Sequence, residues 1–175
     1  MNPAMEVLAA RLRASGLGDR LGQSVPLAPY TTFAIGGVAD LVLEARSSAD
    51  LQAALQVAGA CEVPCLVLGR GSNVLVSDRG VRGLVIVNRG AGCVVTSDGK
   101  LTAVSGTPLT DVARCSAEAG LAGLEWAVGI PGSVGGAVVG NAGAHGGYIG
   151  DVLESVLVLD HGEVQRLSAG DLGLG

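Results

Sequence analysis

The chain has 175 residues, a net charge of −5, 49% hydrophobic residues and 29 glycines. This length and apolar content suffice for one domain or two small ones with an aliphatic core. The acidic balance, without a basic run or a basic–aromatic stripe, argues against nucleic acid or an anionic membrane as partner. The glycines follow no Gly-x-y period, which excludes collagen.

The first half of the chain is predicted to alternate helices and strands. An amphipathic helix over residues 5–15 ends at Gly16. Ser48 is the expected N-cap of a helix from Ala49 to about Ala60. Residues 27–37 carry prolines and glycines typical of an extended segment with turns. Apolar runs predict four strands, at residues 39–45, 63–68 (buried), 74–76 and 84–87.

The second half begins after Gly90 with a predicted hairpin of residues 93–96 and 100–104. Thr107 or Thr110 is expected to open a helix that ends at Gly120. A glycine-rich loop with a short helix follows, and then a second hairpin. From this order we predict an N-terminal helix and linker (residues 1–22) and two lobes, residues 23–89 and 92–175, whose glycine loops face a shared cleft.

Cysteine spacing and the terminal sequence indicate a cytoplasmic protein. The four cysteines, at positions 61, 65, 93 and 115, lack the Cys-x2-Cys pairs of zinc sites, so we predict no metal and mostly buried free thiols. The N-terminus shows no signal peptide. Residues 126–144 are uncharged, but Pro131, Asn141 and many glycines argue against a membrane-spanning helix.

The segment Leu68–Asp78 is the first candidate site. Its glycines, Gly69 and Gly71, permit consecutive backbone N–H groups to turn inward and hold a pyrophosphate. Ser72 and Asn73 add side-chain donors, and Arg70 adds charge. Neither the Walker nor the dinucleotide fingerprint fits here. A tight turn in a sheet is the alternative explanation.

The segment Gly123–Gly147 is the second candidate site. Its glycine density destabilises folding unless the backbone must turn sharply or approach something closely. A flat cofactor ring or a pyrophosphate satisfies that condition, and so does close helix–helix packing. Glu125 is expected to be a buried carboxylate that fixes the loop. His145 lies in this loop, where an incidental position and a functional role are the alternatives, and His161 is expected in a solvated turn.

Three segments together, Thr31–Asp40, Leu68–Asp78 and Gly129–Gly147, resemble the UDP-N-acetylenolpyruvoylglucosamine reductase family. The resemblance implies an α+β fold, a two-lobed FAD-binding domain of the vanillyl-alcohol oxidase / p-cresol methylhydroxylase type. It also implies non-covalent FAD, NADPH as reductant, a UDP-sugar enolpyruvate substrate, a role in peptidoglycan synthesis, and a cytoplasmic monomer.

The same resemblance implies which residues contact FAD. The first loop matches the segment that holds the pyrophosphate, and the second loop and the segment after it make further contacts. The residues are Gly69, Arg70, Gly71, Ser72, Asn73, Val74 and Leu75, then Gly129, Ile130, Pro131, Gly132, Ser133, Gly135 and Gly136, and finally Asn141, Gly143 and Ala144.

The chain departs from the family pattern in two ways. Gly140 and His145 stand where many relatives have Met and Tyr. The family's catalytic arginine, serine and glutamate are expected beyond Gly175, so we predict an incomplete second lobe, no substrate domain and no catalytic residue. The alternatives are a non-catalytic FAD-binding fragment and a sugar- or lactone-oxidising flavoenzyme of the same fold.

Overall fold

The computed structural model describes residues 3–174 and divides the chain into two compact units, with the division between Gly90 and Ala91. The first unit is built on a mixed four-stranded sheet in the order β1-β2-β4-β3. Its strands are β1 (Leu21–Pro26), β2 (Val38–Ala45), β3 (Cys65–Leu68) and β4 (Val81–Asn88). β1 is antiparallel to β2, whereas β4 is parallel to both of its neighbours.

Two helices cover one face of this sheet. They are α1 (Pro3–Leu12) and α2 (Ser48–Ala60), and their apolar stripes pack on alternate side chains of β2 and β4. The predicted helix over 5–15 is confirmed, but its regular part ends at Leu12, and a wider turn follows over Arg13–Leu17. The fully buried residues of this core include Leu8, Leu12, Leu41, Leu43, Leu84 and Ile86.

The opposite face is covered by the chain that joins β3 to β4. Parallel neighbours need a connection of about a dozen residues, and it usually contains a helix. Here residues 69–80 make the connection without one. Val76 and the half-buried Val74 pack beside Val42 and Val85 on the sheet.

Two strand predictions fail at this point. Residues 74–76 form no strand, because Val74 and Val76 anchor a crossover to the sheet face and the segment pairs with no neighbouring strand. β3 is an edge strand that begins at Cys65, and only Leu68 in it is buried, so the expectation of a buried strand over 63–68 is wrong.

The N-cap of α2 lies one residue before the predicted one. Ser47 Oγ accepts a hydrogen bond from the backbone N–H of Asp50 at 3.0 Å, whereas Ser48 is the first helical residue and is exposed. Asp50 in turn accepts from Arg20 Nη1 at 2.5 Å and from the Arg46 backbone N–H at 2.8 Å. The start of α2 is thereby tied to the segment that precedes β1.

The second unit packs short elements around Trp126. They are β5 (Cys93–Val95), β6 (Leu101–Ala103), α3 (Leu109–Glu118), α4 (Val134–Val139), β7 (Gly143–Ala144), β8 (Gly147–Tyr148), α5 (Ile149–Val152), β9 (Ser155–Asp160) and β10 (Glu163–Ser168). Both predicted hairpins are confirmed, as the antiparallel pairs β5–β6 and β9–β10. The core is formed by Leu109, Ala113, Trp126, Ala127, Ala137 and Ile149.

Neither predicted cap opens α3. Pro108 precedes the helix and no side chain caps it. Thr107 is buried, and its Oγ1 both accepts from the Gly92 backbone N–H and donates to the Gly92 carbonyl, each at 3.0 Å. A threonine that clamps another segment's backbone is unavailable to cap its own helix.

The cysteines are less buried than expected. All four are free thiols, but Cys65 is exposed and the other three, at positions 61, 93 and 115, are half-buried. In the part of the chain that the structure describes, no helix is long and apolar enough to span a membrane, and no group of three or more His, Cys, Asp or Glu side chains is placed to bind a metal ion.

Replacing Ser47 by Ala should destabilise the first unit by about 1 kcal/mol, since the N-terminal turn of α2 loses its only side-chain cap. Chemical denaturation of the Ser47→Ala and Ser48→Ala variants measures the difference. The neighbouring Ser48→Ala is the control and should change stability little. Equal losses in the two variants would contradict the assignment of Ser47 as the cap.

The Asp50–Arg20 pair should make stability fall with pH in acid. Burial raises the pKa of Asp50, but the hydrogen bonds from Arg20, Arg46 and Ser47 outweigh it and hold the pKa below its ordinary value. A lowered carboxylate pKa contributes stability that is complete above the unfolded value of about 3.9 and is lost as the pH falls through the folded value.

Asp50→Asn should therefore cost about 1.5–3 kcal/mol at pH 7, the range for a hydrogen bond to a charged group. The difference in unfolding free energy from wild type should close as the pH falls below ~4. Thermal unfolding at several pH values measures it. Glu44→Gln, which removes the more exposed pair with Arg46, is the control with the smaller effect. A stability difference between wild type and Asp50→Asn that does not change with pH would refute the role of the lowered Asp50 pKa.

Candidate functional site

The first candidate loop is held against the segment that precedes β2. The Thr32 backbone N–H donates to the Gly71 carbonyl, and the Gly37 N–H donates to the Ser77 carbonyl, both at 3.0 Å. Thr31 fixes this segment from inside, because its buried hydroxyl donates to the Ile35 carbonyl at 2.9 Å. Two motifs that are about 40 residues apart in sequence thus lie side by side in the first unit.

Gly71 is required by the packing of the protein itself. Its φ is +67°, and a Cβ at this position would lie 1.9 Å from the Tyr30 carbonyl oxygen and 2.9 Å from Thr31 Cα. Only glycine permits this approach of two backbones. The explanation as a tight turn therefore accounts for Gly71, whatever the outer side of the loop binds.

The outer side of the loop has the chemistry of an anion site. Arg70 and Asn73 are exposed, and Arg70 forms no ion pair with any residue that the structure describes. Among the described residues, the backbone N–H groups of Asn73 and Leu75 have no protein acceptor. Such N–H groups beside a guanidinium are what a phosphate oxygen needs. Ser72 and Val74 are half-buried in the same turn.

The second candidate loop uses its N–H groups internally. Ser133 is buried and caps α4, where its Oγ accepts from the Gly136 N–H at 3.4 Å. The Val134 and Gly135 N–H groups donate to the carbonyls of Thr107 (2.9 Å) and Ser105 (2.7 Å). The first turn of α4 therefore has no N–H group left for a pyrophosphate. Of the two cofactor groups predicted for this loop, a flat ring in close contact with the backbone is the one that remains compatible.

The chain just before α4 supplies such a surface. A Cβ on Gly129 would meet no heavy atom within 4 Å, and Gly129 and Pro131 are exposed. Ile130 packs against the core of the second unit, and the Gly132 carbonyl accepts from the Leu109 N–H at 3.1 Å. The backbone of residues 129–132 is thus fixed on the side that faces the core and accessible on the side that faces solvent.

The segment Asn141–Ala144 is held by its own contacts. Asn141 has a φ of +39°, and its Oδ1 accepts from the Gly150 N–H at 3.4 Å. Gly143 and Ala144 form the short strand β7, and a Cβ on Gly143 would lie 2.2 Å from the Tyr148 ring. The small residues here are explained by packing, and their predicted contact with a cofactor stays a prediction.

A cavity of about 610 Å³ lies at the end of this segment, lined by His145, Gly146, Trp126, Glu125 and Asp151 among others. Glu125 is exposed, so its predicted burial is wrong, but it does fix the loop by accepting from the Gly123 N–H at 2.9 Å. His145 is exposed, with a φ of +53°.

Sequence reasoning missed some residues of this region. Asp151 accepts from the Tyr148 N–H at 2.8 Å, and its position three residues after Tyr148 was a usable capping signal. The carbonyls of Ser105 and Thr107 give no sequence signal, because every residue carries a carbonyl. His161 lies in the β9–β10 turn beside Asp160 and is almost fully exposed, which confirms the predicted solvated turn.

Comparisons with known proteins assign these loops to one protein class. The family model described as "FAD binding domain" matches residues 39–168. The chain therefore belongs to the FAD-binding domain family, and FAD is the cofactor of the class. The donors and the open glycine surface described above fit that cofactor.

Curated relatives carry a particular name. The chain is 47% identical over 161 residues to the UDP-N-acetylenolpyruvoylglucosamine reductase of Synechococcus sp. (strain JA-3-3Ab), covering 91% of this chain and 52% of the relative. It is 45% identical over 158 residues to the enzyme of the same name from Gloeobacter violaceus, covering 89% and 53%. The chain thus spans about half the length of the curated relatives it matches.

Solved structures agree with the fold prediction. The UDP-N-acetylenolpyruvylglucosamine reductase from Thermus caldophilus superposes with a TM-score of 0.69 at 38% identity, covering 86% of this chain and 53% of that one. Glucooligosaccharide oxidase from Acremonium strictum gives a TM-score of 0.67 at 18% identity, covering 94% and 37%, and shows the fold alone. The vanillyl-alcohol oxidase / p-cresol methylhydroxylase fold type is confirmed.

Gly71→Ala should destabilise the first unit by about 2–4 kcal/mol, because the added methyl group meets rigid backbone at a left-handed φ. Denaturant unfolding without any cofactor measures this loss. Gly59→Ala is the control, since a Cβ there meets nothing within 4 Å and Gly59 lies inside α2. A Gly71→Ala variant as stable as wild type would show that the loop is not packed as described.

Proposed function

We propose that this chain is the FAD-binding part of a UDP-N-acetylenolpyruvoylglucosamine reductase, which uses NADPH to reduce a UDP-sugar enolpyruvate to UDP-N-acetylmuramate for peptidoglycan. The observation that carries the proposal is the 47% identity to the Synechococcus reductase across 91% of this chain. The matched span includes both loops, and the unbonded N–H groups of the first loop and the open backbone of the second support the proposal.

The two loops take different parts of the cofactor in this proposal. Residues 69–75 hold the pyrophosphate through Arg70 and the N–H groups of Asn73 and Leu75, which have no acceptor among the described residues. Residues 129–132 lie flat against an uncharged part of the cofactor, because the nearby N–H groups of α4 are already bonded. The further contacts with the cofactor in this proposal are Ser133, Gly135, Gly136, Asn141, Gly143 and Ala144.

When bound, FAD supplies hydride transfer between the nicotinamide and the substrate. The contribution of this chain is to bind the cofactor, orient it and exclude water from one side of it. We propose no catalytic residue among residues 3–174, since no nucleophile, base and orienting group come together there. Substrate and NADPH are proposed to require the half of the relatives that this chain does not span.

The remaining assignments are proposals of the same kind. The chain is proposed to work in the cytoplasm as a monomer, with the helix and linker of residues 1–22 followed by lobes 23–89 and 92–175. FAD is proposed to be dissociable, since the predicted contacts include neither Cys nor His. The Acremonium oxidase, in contrast, carries a cysteinyl and histidyl FAD.

The purified chain should bind FAD and release it on denaturation. Titration of FAD against the chain, followed by flavin fluorescence, measures the affinity, and filtration after acid denaturation should leave all flavin in the filtrate. With FAD bound, the chain should oxidise NADPH no faster when the UDP-sugar enolpyruvate is added than when it is left out. Absence of FAD binding by the folded chain, or flavin retained on the denatured protein, would contradict the proposal.

Gly129→Ala should weaken FAD binding by roughly tenfold, about 1.4 kcal/mol, without lowering stability. The added methyl group meets open space in the protein, so a loss must come from the ligand. Gly59→Ala adds the same group to open space within α2, outside the proposed contacts, and should leave the affinity unchanged. Equal affinities for the two variants would remove residues 129–132 from the proposed contact.

A further inference from the structure

A pair of thiols lies in the second unit, and neither cysteine is among the residues assigned to FAD. Cys93 is on β5 and Cys115 is on α3, and these two elements pack against each other. Both thiols are half-buried, and they lie near enough to each other that Cys115 raises the pKa of Cys93. Two neighbouring cysteines on packed elements can form a disulfide when their side chains turn toward each other.

The pair is accessible from outside. Both cysteines line a cavity of about 410 Å³, together with Thr107, Asp111, Arg114 and Glu118. Arg114 pairs with Asp111 at 3.0 Å on the rim, and its side chain is mostly exposed. A small oxidant with carboxylates can therefore reach the sulfurs beside a guanidinium, which binds carboxylate groups.

We propose that Cys93 and Cys115 form a reversible disulfide that links β5 to α3, with a small-molecule disulfide such as oxidised glutathione as the oxidant. This site lies outside the proposed function. Transient disulfides of this kind are the form that occurs in reducing compartments, where they sense the redox state.

The reaction proceeds by two thiol–disulfide exchanges. The neighbouring Cys115 thiol, with burial second, raises the pKa of Cys93 to about 11. Cys93 therefore keeps its proton, and Cys115, once it has lost its own proton, attacks one sulfur of the oxidant and releases the first glutathione thiolate.

In the second exchange Cys93, now without its thiol partner, loses its proton and attacks the Cys115 sulfur, which releases the second glutathione. Two protein thiols are oxidised, one oxidant disulfide is reduced to two thiols, and the two protons pass to these products or to water. The exchange is reversed by excess dithiol.

The disulfide would also support the chain that holds α4. Gly92, next to Cys93, is bonded to Thr107, and the Thr107 carbonyl accepts from the first turn of α4. A covalent link between residues 93 and 115 closes a loop that includes Thr107. Crosslinking lowers the entropy of the unfolded chain, so the oxidised form should melt at a higher temperature than the reduced form.

The test uses the full chain with Cys61 and Cys65 replaced by Ser, so that only the proposed pair remains. After treatment with oxidised glutathione, intact mass should fall by two hydrogen atoms and both thiols should resist alkylation. Dithiothreitol should restore the original mass and the alkylation of both thiols, and it should return the melting temperature to that of the reduced protein. Adding Cys93→Ser or Cys115→Ser should abolish the mass loss and the rise in melting temperature.

Wild-type protein gives a reading that does not depend on how the variants fold. Trypsin cuts after Arg89, Lys100, Arg114 and Arg166, so the proposed disulfide joins peptides 90–100 and 115–166, whereas Cys61 and Cys65 share peptide 47–70. Detection of the joined peptides in the oxidised sample supports the proposal. Two thiols that stay alkylatable, single glutathione adducts without the mass loss, or peptides joined through 47–70 would overturn it.

Discussion

The first unit depends on one connection, the crossover of residues 69–80 between two parallel strands. β3 and β4 lie side by side in the sheet, and the chain must return along the sheet face to start β4. With no helix in the crossover, its own valines replace a helix's apolar stripe, and its backbone packs on the segment that ends at Gly37. Because the inner side of the crossover makes the contacts that stabilise it, the N–H groups on its outer side stay available to a ligand.

The glycines of the two loops divide into two physical classes. At Gly71 and Gly143 a methyl group would collide with the protein, so these glycines serve the fold. At Gly129 a methyl group meets nothing, so the protein's packing does not require glycine there. Composition alone weighs the two explanations equally, and only the neighbours of each Cβ separate them.

Much of the fold could be predicted from the sequence, because local patterns dominate where they agree with packing. The helix over 48–60, the strand β2 and both hairpins of the second unit followed their periodicity and turn residues. The prediction failed where tertiary contacts override local preference. Residues 74–76 are an apolar run typical of a strand but lie on a sheet face. Thr107 can cap a helix by its chemistry but bonds to Gly92 instead.

The segments of the candidate site could be predicted from the sequence. Which part of a cofactor each segment is able to contact could not. The glycine density of the second loop is compatible with a pyrophosphate, yet carbonyls of residues 105 and 107 occupy the N–H groups of Val134 and Gly135. Carbonyl positions depend on the path of a distant segment, which no motif encodes. The resemblance to a flavoenzyme family located the loops, and the hydrogen bonds support the roles proposed for them.

The crossover loop has a consequence for the dynamics of the first unit. Since residues 69–80 also determine that β4 pairs between β2 and β3, any ligand held by their outer face binds only when the sheet is correctly ordered. Occupancy then lowers the frequency of sheet opening by mass action. Amide hydrogens of the buried strand β4 would exchange more slowly as ligand concentration rises, although the ligand touches none of them.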